Sequence, residues 1–396
     1  MVWPPIAADV EKYALGRIVA MLCWFAGPTA QRLRIPLSLL ETSIDYVLPE
    51  YASLAALSDF HKIEFLDISQ ARDLLIRERH TIIVLSRDVE PDEVLSVAHP
   101  LVGSQPLTKV KRPPARTSGS TYYYYFGNPD GDVQDAYYAA CLTYWVSGGE
   151  DKAFLEASRD DLVRQRFRAA AKSCIALFGT GPSLSEALNR DHGDSFNIIC
   201  NTIIKNRAFT EHLDPQILVA SDAHFHFSYH RYSARFLGDL VAFLHNSSAS
   251  FYTFDKFAAF LRRRVPEIAG RVFGIPAGRK TYGFDFDQEF RVFPGDSVLN
   301  MFLLPLGSYL GQEVVLNGFT GRAPSDSFFW SHSELHQYSH LMEDVRQAHP
   351  AFFRNRDYGK YANTVDDDLM VRVNAALEAG KGIHSATTSF YRALQP

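Results

Sequence analysis

A glycine-rich turn, Gly179-Thr180-Gly181-Pro182-Ser183, follows a short apolar run from Cys174 to Phe178. This order predicts a buried strand, a tight turn and a helix start, because proline suits the first helical turn. Glycines let a ligand approach the backbone closely, and N–H groups at a helix N-terminus attract phosphate. The turn therefore predicts phosphate binding, with an ordinary strand-to-helix turn as the alternative. It contains neither the six-residue dinucleotide fingerprint nor a Walker-type Gly-Lys-Ser/Thr.

Polar residues also follow the later apolar runs of the chain. Strands are predicted for 196–201, 215–222 and 313–318, and they end in Asn201, in Ser221 with Asp222, and in Asn317 with Gly318. The carboxyl ends of parallel strands meet at one edge of a sheet, where ligands of open α/β sheets bind. We therefore expect these residues to converge on one crevice.

The elements that position these residues alternate between strand and helix patterns. A β-α-β unit is predicted from 62–66, 69–79 and 81–85, and the alternation continues after residue 172. Helices are also predicted for 10–25, 37–46, 135–145, 297–311 and 333–347. The sequence therefore predicts an α/β fold with a doubly wound, mostly parallel, Rossmann-like sheet. A boundary near Gly148-Gly149 separates an N-terminal α/β region, 1–150, from a second domain, 151–396.

Bulk composition restricts the class of protein. The chain has 396 residues, 46% of them hydrophobic and 13% aromatic, with a formal net charge of −5. That balance argues against a nucleic-acid-binding protein, which would present a basic surface. The four cysteines, Cys23, Cys141, Cys174 and Cys200, form no Cys-x-x-Cys pair, so a reducing, cytoplasmic setting is expected.

The N-terminal segment has two interpretations. Met1-Val-Trp-Pro-Pro lacks the basic start of a secretory signal, and the uncharged run 18–31 is short for a membrane span. Trp3, Trp24, Phe25 and the nearby arginines suggest an interfacial helix at the inner face of a membrane. A core helix is the preferred interpretation.

Six segments occur in an order that resembles a known family. They are Gly179–Leu184, Cys200-Asn201, Ser221-Asp222, Arg291–Ser297, Asn317–Thr320 and Ser331-His332-Ser333. Together they resemble the family 42 glycosyltransferases, the bacterial sialyltransferases. They also resemble the wider group that includes motility-associated flagellin glycosyltransferases and archaeal hydroxymethylpterin diphosphokinases. The likeness covers roughly residues 172–396, including a closing element at 383–389, and leaves 1–150 unmatched.

The resemblance implies the sialyltransferase variant of the GT-A fold and a CMP-activated nonulosonate donor. It assigns nucleotide contacts to the turn at 179–183, to Asn201 and Ser221, to Arg291 and Ser297, and to Asn317 and Gly318. It places His332 as the general base, and no metal or other cofactor is required. The paired tyrosines of the family have no clear counterpart; Phe328, Phe329 and Trp330 stand nearby instead.

Asp222 departs from the family, which has an amide at this position. Its carboxylate is predicted to hydrogen-bond the sugar or ribose, to bind Mg²⁺, or to attack the anomeric carbon with retention of configuration. The last option resembles the retaining Kdo transferases. An N-cap is the structural alternative.

Three other groups of residues suggest metal sites; the first is a possible alternative without a matched family pattern, and the other two are discounted. The first is Asp222-x-His224-x-His226, with His230 nearby; if this segment is a strand, its alternate residues face the same side. Asp285-Phe-Asp287 lies in an aromatic loop. Asp366-Asp-Asp368 is predicted to form the N-cap and first turn of a helix, 366–379.

These observations predict a glycosyltransferase that moves a sialic-acid-like or Kdo-like sugar from CMP to a bacterial surface glycan, such as lipopolysaccharide or capsule. The rival enzyme is a pterin-type diphosphokinase that uses ATP and Mg²⁺. A non-catalytic glycan-binding module is the rival class.

Overall fold

The computed structural model describes residues 2–3, 12–28, 33–37, 48–67, 80–85, 120–125, 151–323, 334–348, 353 and 357–395. The strands are β1 (Val2–Trp3), β2 (Leu33–Leu37), β3 (Ile63–Asp67), β4 (His80–Leu85), β5 (Ser120–Tyr125), β6 (Cys174–Phe178), β7 (Ser195–Cys200), β8 (Ile217–Val219), β9 (Ser250–Phe254), β10 (Val272–Ile275), β11 (Glu313–Asn317) and β12 (Gly382–Ser385). The α-helices are α1 (Lys12–Ala26), α2 (Lys152–Ala169), α3 (Arg207–Leu213), α4 (Ala223–Phe227), α5 (Arg231–Asn246), α6 (Asp255–Arg264), α7 (Leu304–Leu310), α8 (Met342–Ala348) and α9 (Tyr358–Glu378).

The chain forms two compact units. The first comprises residues 1–150, 223–234 and 343–355, and the second comprises 151–222, 235–342 and 356–396.

Strands of the first unit pair in parallel, but not as a single β-α-β unit. β3 pairs with β2, whereas β4 lies between β1 and β5. The expected pairing of 62–66 with 81–85 is therefore wrong. The sequence reading missed β2, whose Pro36 cannot donate to a ladder and is tolerated at the edge of a sheet.

Helix α1 is a core helix of the first unit. Residues 19–25 are all buried, and the indole N–H of Trp24 donates to Phe227 O at 2.7 Å. Trp24 and Phe25, which suggested an interfacial helix, are therefore covered by protein. None of the helices within the described ranges is long and apolar enough to cross a membrane.

The second unit is built on a seven-stranded parallel sheet with the order β10-β9-β8-β7-β6-β11-β12. The chain moves outward from β6 to β10 and then returns to place β11 beside β6. The order reverses between these two strands, so they form the topological switch point of a doubly wound sheet. The prediction of a Rossmann-like α/β fold is confirmed.

Helices cover both faces of this sheet because successive strand residues point to opposite sides. One face carries Leu177, Ile198, Val219 and Leu316, which pack in one cluster with residues of α2, α7 and α9. On the other face, Phe178 meets the edge of Phe209 from α3 at 5.9 Å. Strands buried on both sides explain the nearly continuous apolar runs that were legible in the sequence.

Several predicted helices differ from those in the structure. The run 297–311 begins with a π-helical turn, Leu299–Leu303, before α7. Of 333–347, residues 334–338 are not helical, and α8 starts only at Met342. The last helix begins at Tyr358, with Asp357 as its N-cap, so 366–368 lie inside it. The predicted helices at 37–46, 69–79 and 135–145 fall outside the described residues, apart from Leu37, which ends β2.

Candidate active site at the carboxyl edge of the sheet

The loops after β6 and β11 meet at the switch point through their backbones. Gly179 N–H donates to Asn317 O, and Gly181 N–H donates to Gly318 O, both at 2.8 Å. A Cβ at position 181 would lie 2.6 Å from Gly318 O, and one at 318 would lie 2.6 Å from Gly179 O. Gly318 also has φ +73°, which disfavours other residues. The glycines therefore allow two protein loops to touch, which the sequence reading attributed to ligand approach.

The expected helix start after the turn is a short 3₁₀ helix, Pro182–Glu186. Pro182 has no N–H group, and the N–H of the next residue, Ser183, donates to Thr320 Oγ1 at 3.0 Å. The N–H groups of Gly179, Gly181 and Ser183 are thus all used within the protein. The expectation of an open cradle of N–H groups is wrong for these three, and hydroxyl groups are what the turn presents.

Three hydroxyl groups from three loops meet beside this turn. Ser183 Oγ lies 2.8 Å from Thr320 Oγ1 and 3.3 Å from Thr387 Oγ1. Thr387, which follows β12, also accepts the N–H of Gly318 at 2.9 Å. The sequence reading quoted both threonines only as members of matched segments. The signal available for Thr387 was its position just after a strand end.

Asn317 ends β11 with its side chain 1% exposed. Neither its Oδ1 nor its Nδ2 has a hydrogen-bond partner among the residues that the structure describes. A buried amide left unpaired costs about 1–3 kcal/mol. Such an amide next to the switch point is suited to a polar ligand.

Asn201 follows β7 in the left-handed region, with φ +52°, a conformation that asparagine tolerates better than most residues. Its Oδ1 is buried and has no partner within the described part of the chain. In the sheet register, Phe178 lies between Ile199 and Asn317. Asn201 and Asn317 therefore stand on either side of the β6 end.

Ser221 and Asp222 follow β8, the neighbour of β7 on the far side from β6. Ser221 is buried and Asp222 is exposed. A carboxylate at this position is accessible to solvent and to a ligand at the carboxyl edge.

The alternative of a histidine metal site after Asp222 depended on a strand, and the structure forms a helix there. Residues two apart share a side on a strand but not on a helix, so the alternation that this metal site required is lost where α4 forms. His230 Nδ1 accepts the N–H of Ser233 at 3.1 Å, which caps α5. Within the described ranges, no group of histidine, cysteine and carboxylate side chains is arranged to hold a metal ion.

The two Asp-x-Asp segments have structural partners. Asp285 Oδ1 accepts the N–H of Asp287, whose own carboxylate pairs with Arg166 at 2.5 Å. Asp366 and Asp367 both bind Arg392. The expected N-cap role of 366–368 is wrong because α9 begins earlier.

Arg291 and Ser297 make contacts within their own part of the chain. Arg291 Nη1 donates to Ala277 O at 3.2 Å, and Ser297 Oγ accepts the N–H of Asn300 at 3.1 Å. Their assignment to the nucleotide stays a prediction.

His332 lies outside the described residues, but the segment that follows it is well anchored. Lys205 Nζ donates to Glu334 O and, at 2.6 Å, to Gln337 O, and Thr202 Oγ1 donates to His336 O. Thr202 and Lys205 belong to the 3₁₀ turn directly after β7. Glu334, two residues after His332, therefore lies against the carboxyl side of β7.

The sequence reading missed His336. Its imidazole is 1% exposed, lies edge-on to Phe209, and has an Nδ1 without a partner in the described ranges. Burial, followed by the charge of Lys205, lowers the pKa of His336 to about 4. The ring is therefore neutral at physiological pH. A single buried histidine gives no sequence signal of its own.

No protein-family model, characterised protein or solved structure matches the chain at a significant level. The class of the second unit therefore follows from its geometry. It is a Rossmann-like α/β unit, and its switch point brings together glycine-mediated loop contacts, a hydroxyl cluster and two asparagines.

Proposed function

We propose that the chain is a glycosyltransferase that moves a sialic-acid-like or Kdo-like sugar from CMP to a bacterial surface glycan. It would use the sialyltransferase variant of the GT-A fold and act in the cytoplasm. The observation that supports this most directly is the position of the Gly179–Ser183 turn. It follows the first strand of the switch point, β6, where open α/β sheets bind their ligands.

The polar groups near the switch point suit a nucleotide. The hydroxyl cluster of Ser183, Thr320 and Thr387 can supply a hydrogen-bond donor to a phosphodiester, and the amides of Asn201 and Asn317 can exchange hydrogen bonds with a ribose or a base. Their unpaired atoms would gain partners on binding. A phosphodiester leaving group can be stabilised by such neutral donors.

Asp222 is the residue proposed to face the transferred sugar. The bond between the anomeric carbon and the phosphate oxygen breaks, CMP leaves, and positive charge develops on the sugar ring. The carboxylate either stabilises that charge or attacks the anomeric carbon, giving a covalent adduct that the acceptor then displaces. His332 would take the proton from the acceptor hydroxyl.

The test is CMP release from CMP-sialic acid and CMP-Kdo. Asp222→Asn is expected to lose most turnover, while Asp160→Asn, which alters an exposed carboxylate on α2, should keep it. The anomeric configuration of the product, read by NMR, separates the two roles of Asp222. Retention indicates the covalent role and inversion indicates charge stabilisation.

Three results would contradict the proposal. ATP-dependent pyrophosphoryl transfer would favour the diphosphokinase. Glycan binding without turnover of any donor would favour the binding module. Full activity in Asp222→Asn would remove that residue from the mechanism.

A further inference from the structure

The hydroxyl cluster of Ser183, Thr320 and Thr387 receives two backbone N–H groups, both at its threonines. Thr320 Oγ1 accepts the backbone N–H of Ser183 at 3.0 Å, and Thr387 Oγ1 accepts that of Gly318 at 2.9 Å. Ser183 Oγ accepts no N–H group in the described residues. Its contacts are the two threonine oxygens, at 2.8 and 3.3 Å.

Counting hydrogens shows that one hydroxyl donor is left over. The three hydroxyl groups carry three hydrogens, and the two contacts between them use two. In the arrangement where each threonine accepts one bond and donates one, both donate to Ser183. The hydrogen of Ser183 then has no acceptor within the described ranges.

The loops that carry the cluster are also held by backbone hydrogen bonds outside it. The same loops are already joined by Gly181 N–H to Gly318 O, by Phe390 N–H to Thr320 O at 2.7 Å, and by Ala386 N–H to Leu316 O at 2.9 Å. Ser183 and Thr387 are each 6% exposed, so the leftover donor lies just below the surface at the switch point.

We propose that the Ser183 hydroxyl donates to a non-bridging phosphate oxygen of the bound ligand, and that Thr320 and Thr387 are positioning residues that orient it. A hydroxyl that accepts two hydrogen bonds is polarised and becomes a stronger donor, and bonds to an anion are the strong ones. The inference deepens the proposed function, on which it rests for the identity of the nucleotide.

The experiment measures the affinity of CMP and of cytidine, which lacks the phosphate, by calorimetry. Ser183→Ala removes the donor, and Thr387→Val removes one orienting group. Thr387→Ser retains the hydroxyl and serves as the matched control. If Thr387→Val does not fold, Thr387→Cys replaces it. The thiol is a poor hydrogen-bond donor but still offers a weak acceptor to the N–H of Gly318.

Ser183→Ala and Thr387→Val are each expected to weaken CMP binding by about tenfold or more, the scale of a hydrogen bond to a charged group. Cytidine binding should be unchanged, and Thr387→Ser should bind CMP like the wild type. The double variant Ser183→Ala/Thr387→Val should lose no more CMP affinity than Ser183→Ala alone, because Thr387 acts through Ser183.

Equal weakening of CMP and cytidine, additive losses in the double variant, or unchanged CMP binding in Ser183→Ala would overturn the inference. The same titrations with ATP and inorganic pyrophosphate separate it from the proposed function. If the wild type binds ATP or pyrophosphate but not CMP, the assignment of a CMP-sugar as substrate fails. The single and double variants, measured with the ligand that does bind, then still decide the role of Ser183. If the wild type binds none of the phosphates, both proposals fail.

Discussion

Gly181 N–H donates to Gly318 O at 2.8 Å, and this bond ties the loop after β6 to the loop after β11 at the switch point. The two residues are far apart in sequence, and the parallel pairing of β6 with β11 brings them together. Any ligand at this edge of the sheet meets a surface whose shape depends on that contact.

The first prediction concerns Gly181→Ala. The new Cβ would lie 2.5 Å from Thr320 Oγ1 and 2.6 Å from Gly318 O, so backbone must move. We expect the free energy of unfolding to fall by about 1–3 kcal/mol, the usual cost of overpacking. Urea denaturation measures this change.

Gly238→Ala is the matched control for that substitution. Gly238 lies inside α5, and a Cβ there meets nothing within 4 Å. We expect this variant to be more stable than the wild type by about 0.5–1 kcal/mol, because alanine favours the helix. A stable Gly181→Ala variant would show that the two loops are not tightly joined.

The second prediction concerns Asn317→Leu. The native amide is buried and lacks partners in the described ranges, so leucine, which branches at the same atom, removes an unpaired polar group. We expect unfolding stability to stay equal or to rise by about 1 kcal/mol, while nucleotide binding is lost. Denaturation and calorimetry on the same sample test both halves. Lower stability together with unchanged binding would show that Asn317 has a structural role only.

The third prediction concerns pH and His336. Burial lowers the pKa of His336 to about 4, so the unfolded state binds the proton more readily between about pH 6.5 and pH 4. Above pH 6.5 both states are neutral at this residue and its contribution does not change. As the pH falls from 6.5 to 4, the wild type should lose at most about 3 kcal/mol of unfolding stability through this group.

Urea denaturation at several pH values checks this prediction with His336→Phe, which keeps a ring against Phe209 but cannot titrate. The stability of the variant relative to the wild type should rise as the pH falls through that window. His340→Ala, which alters an exposed histidine, should leave the profile unchanged. Parallel profiles for wild type and His336→Phe would show that the imidazole is accessible to water.

The fourth prediction concerns Arg372, which is 1% exposed on α9. Its guanidinium lies over the rings of Tyr282 and Phe293 and donates to Asn300 O at 2.9 Å and Pro294 O at 2.8 Å. Arg372→Met leaves those carbonyls unpaired, and we expect a loss of about 3 kcal/mol in chemical denaturation.

Arg392→Met is the control for Arg372, because Arg392 is exposed and its ion pairs with Asp366 and Asp367 are screened by solvent. Its effect on denaturation should be far smaller. Similar losses in both variants would show that the buried hydrogen bonds of Arg372 to Asn300 O and Pro294 O contribute no more to stability than exposed ion pairs do.

Much of the second unit was predictable because its strands are buried on both sides. The apolar runs ending at Phe178, Cys200 and Leu316 predicted β6, β7 and β11, and the polar residues after them indicated the carboxyl edge of the sheet. The sequence could not show which loops contact each other. The glycines at 179 and 181 suit a ligand or a neighbouring loop equally well, and only the three-dimensional structure distinguishes the two.

Other errors arose where local pattern competes with tertiary contacts. Residues 334–338 carry a helical pattern, but their carbonyls bind Lys205 and Thr202, which holds them in a non-helical segment. The strand expected through Asp222 ends at Val219, and α4 begins at Ala223. In the first unit, β3 pairs with β2, a strand that the sequence pattern did not predict.

The measurement that tests the central claim most directly is a thermal-shift titration with nucleotides in the absence of added metal. A ligand that binds only the native state raises its melting temperature. We expect CMP or CDP to stabilise the protein more than AMP or GMP, and Asn317→Leu to lose that response while Gly238→Ala keeps it. Greater stabilisation by AMP or GMP, or an undiminished CMP response in Asn317→Leu, would contradict a CMP site at the switch point.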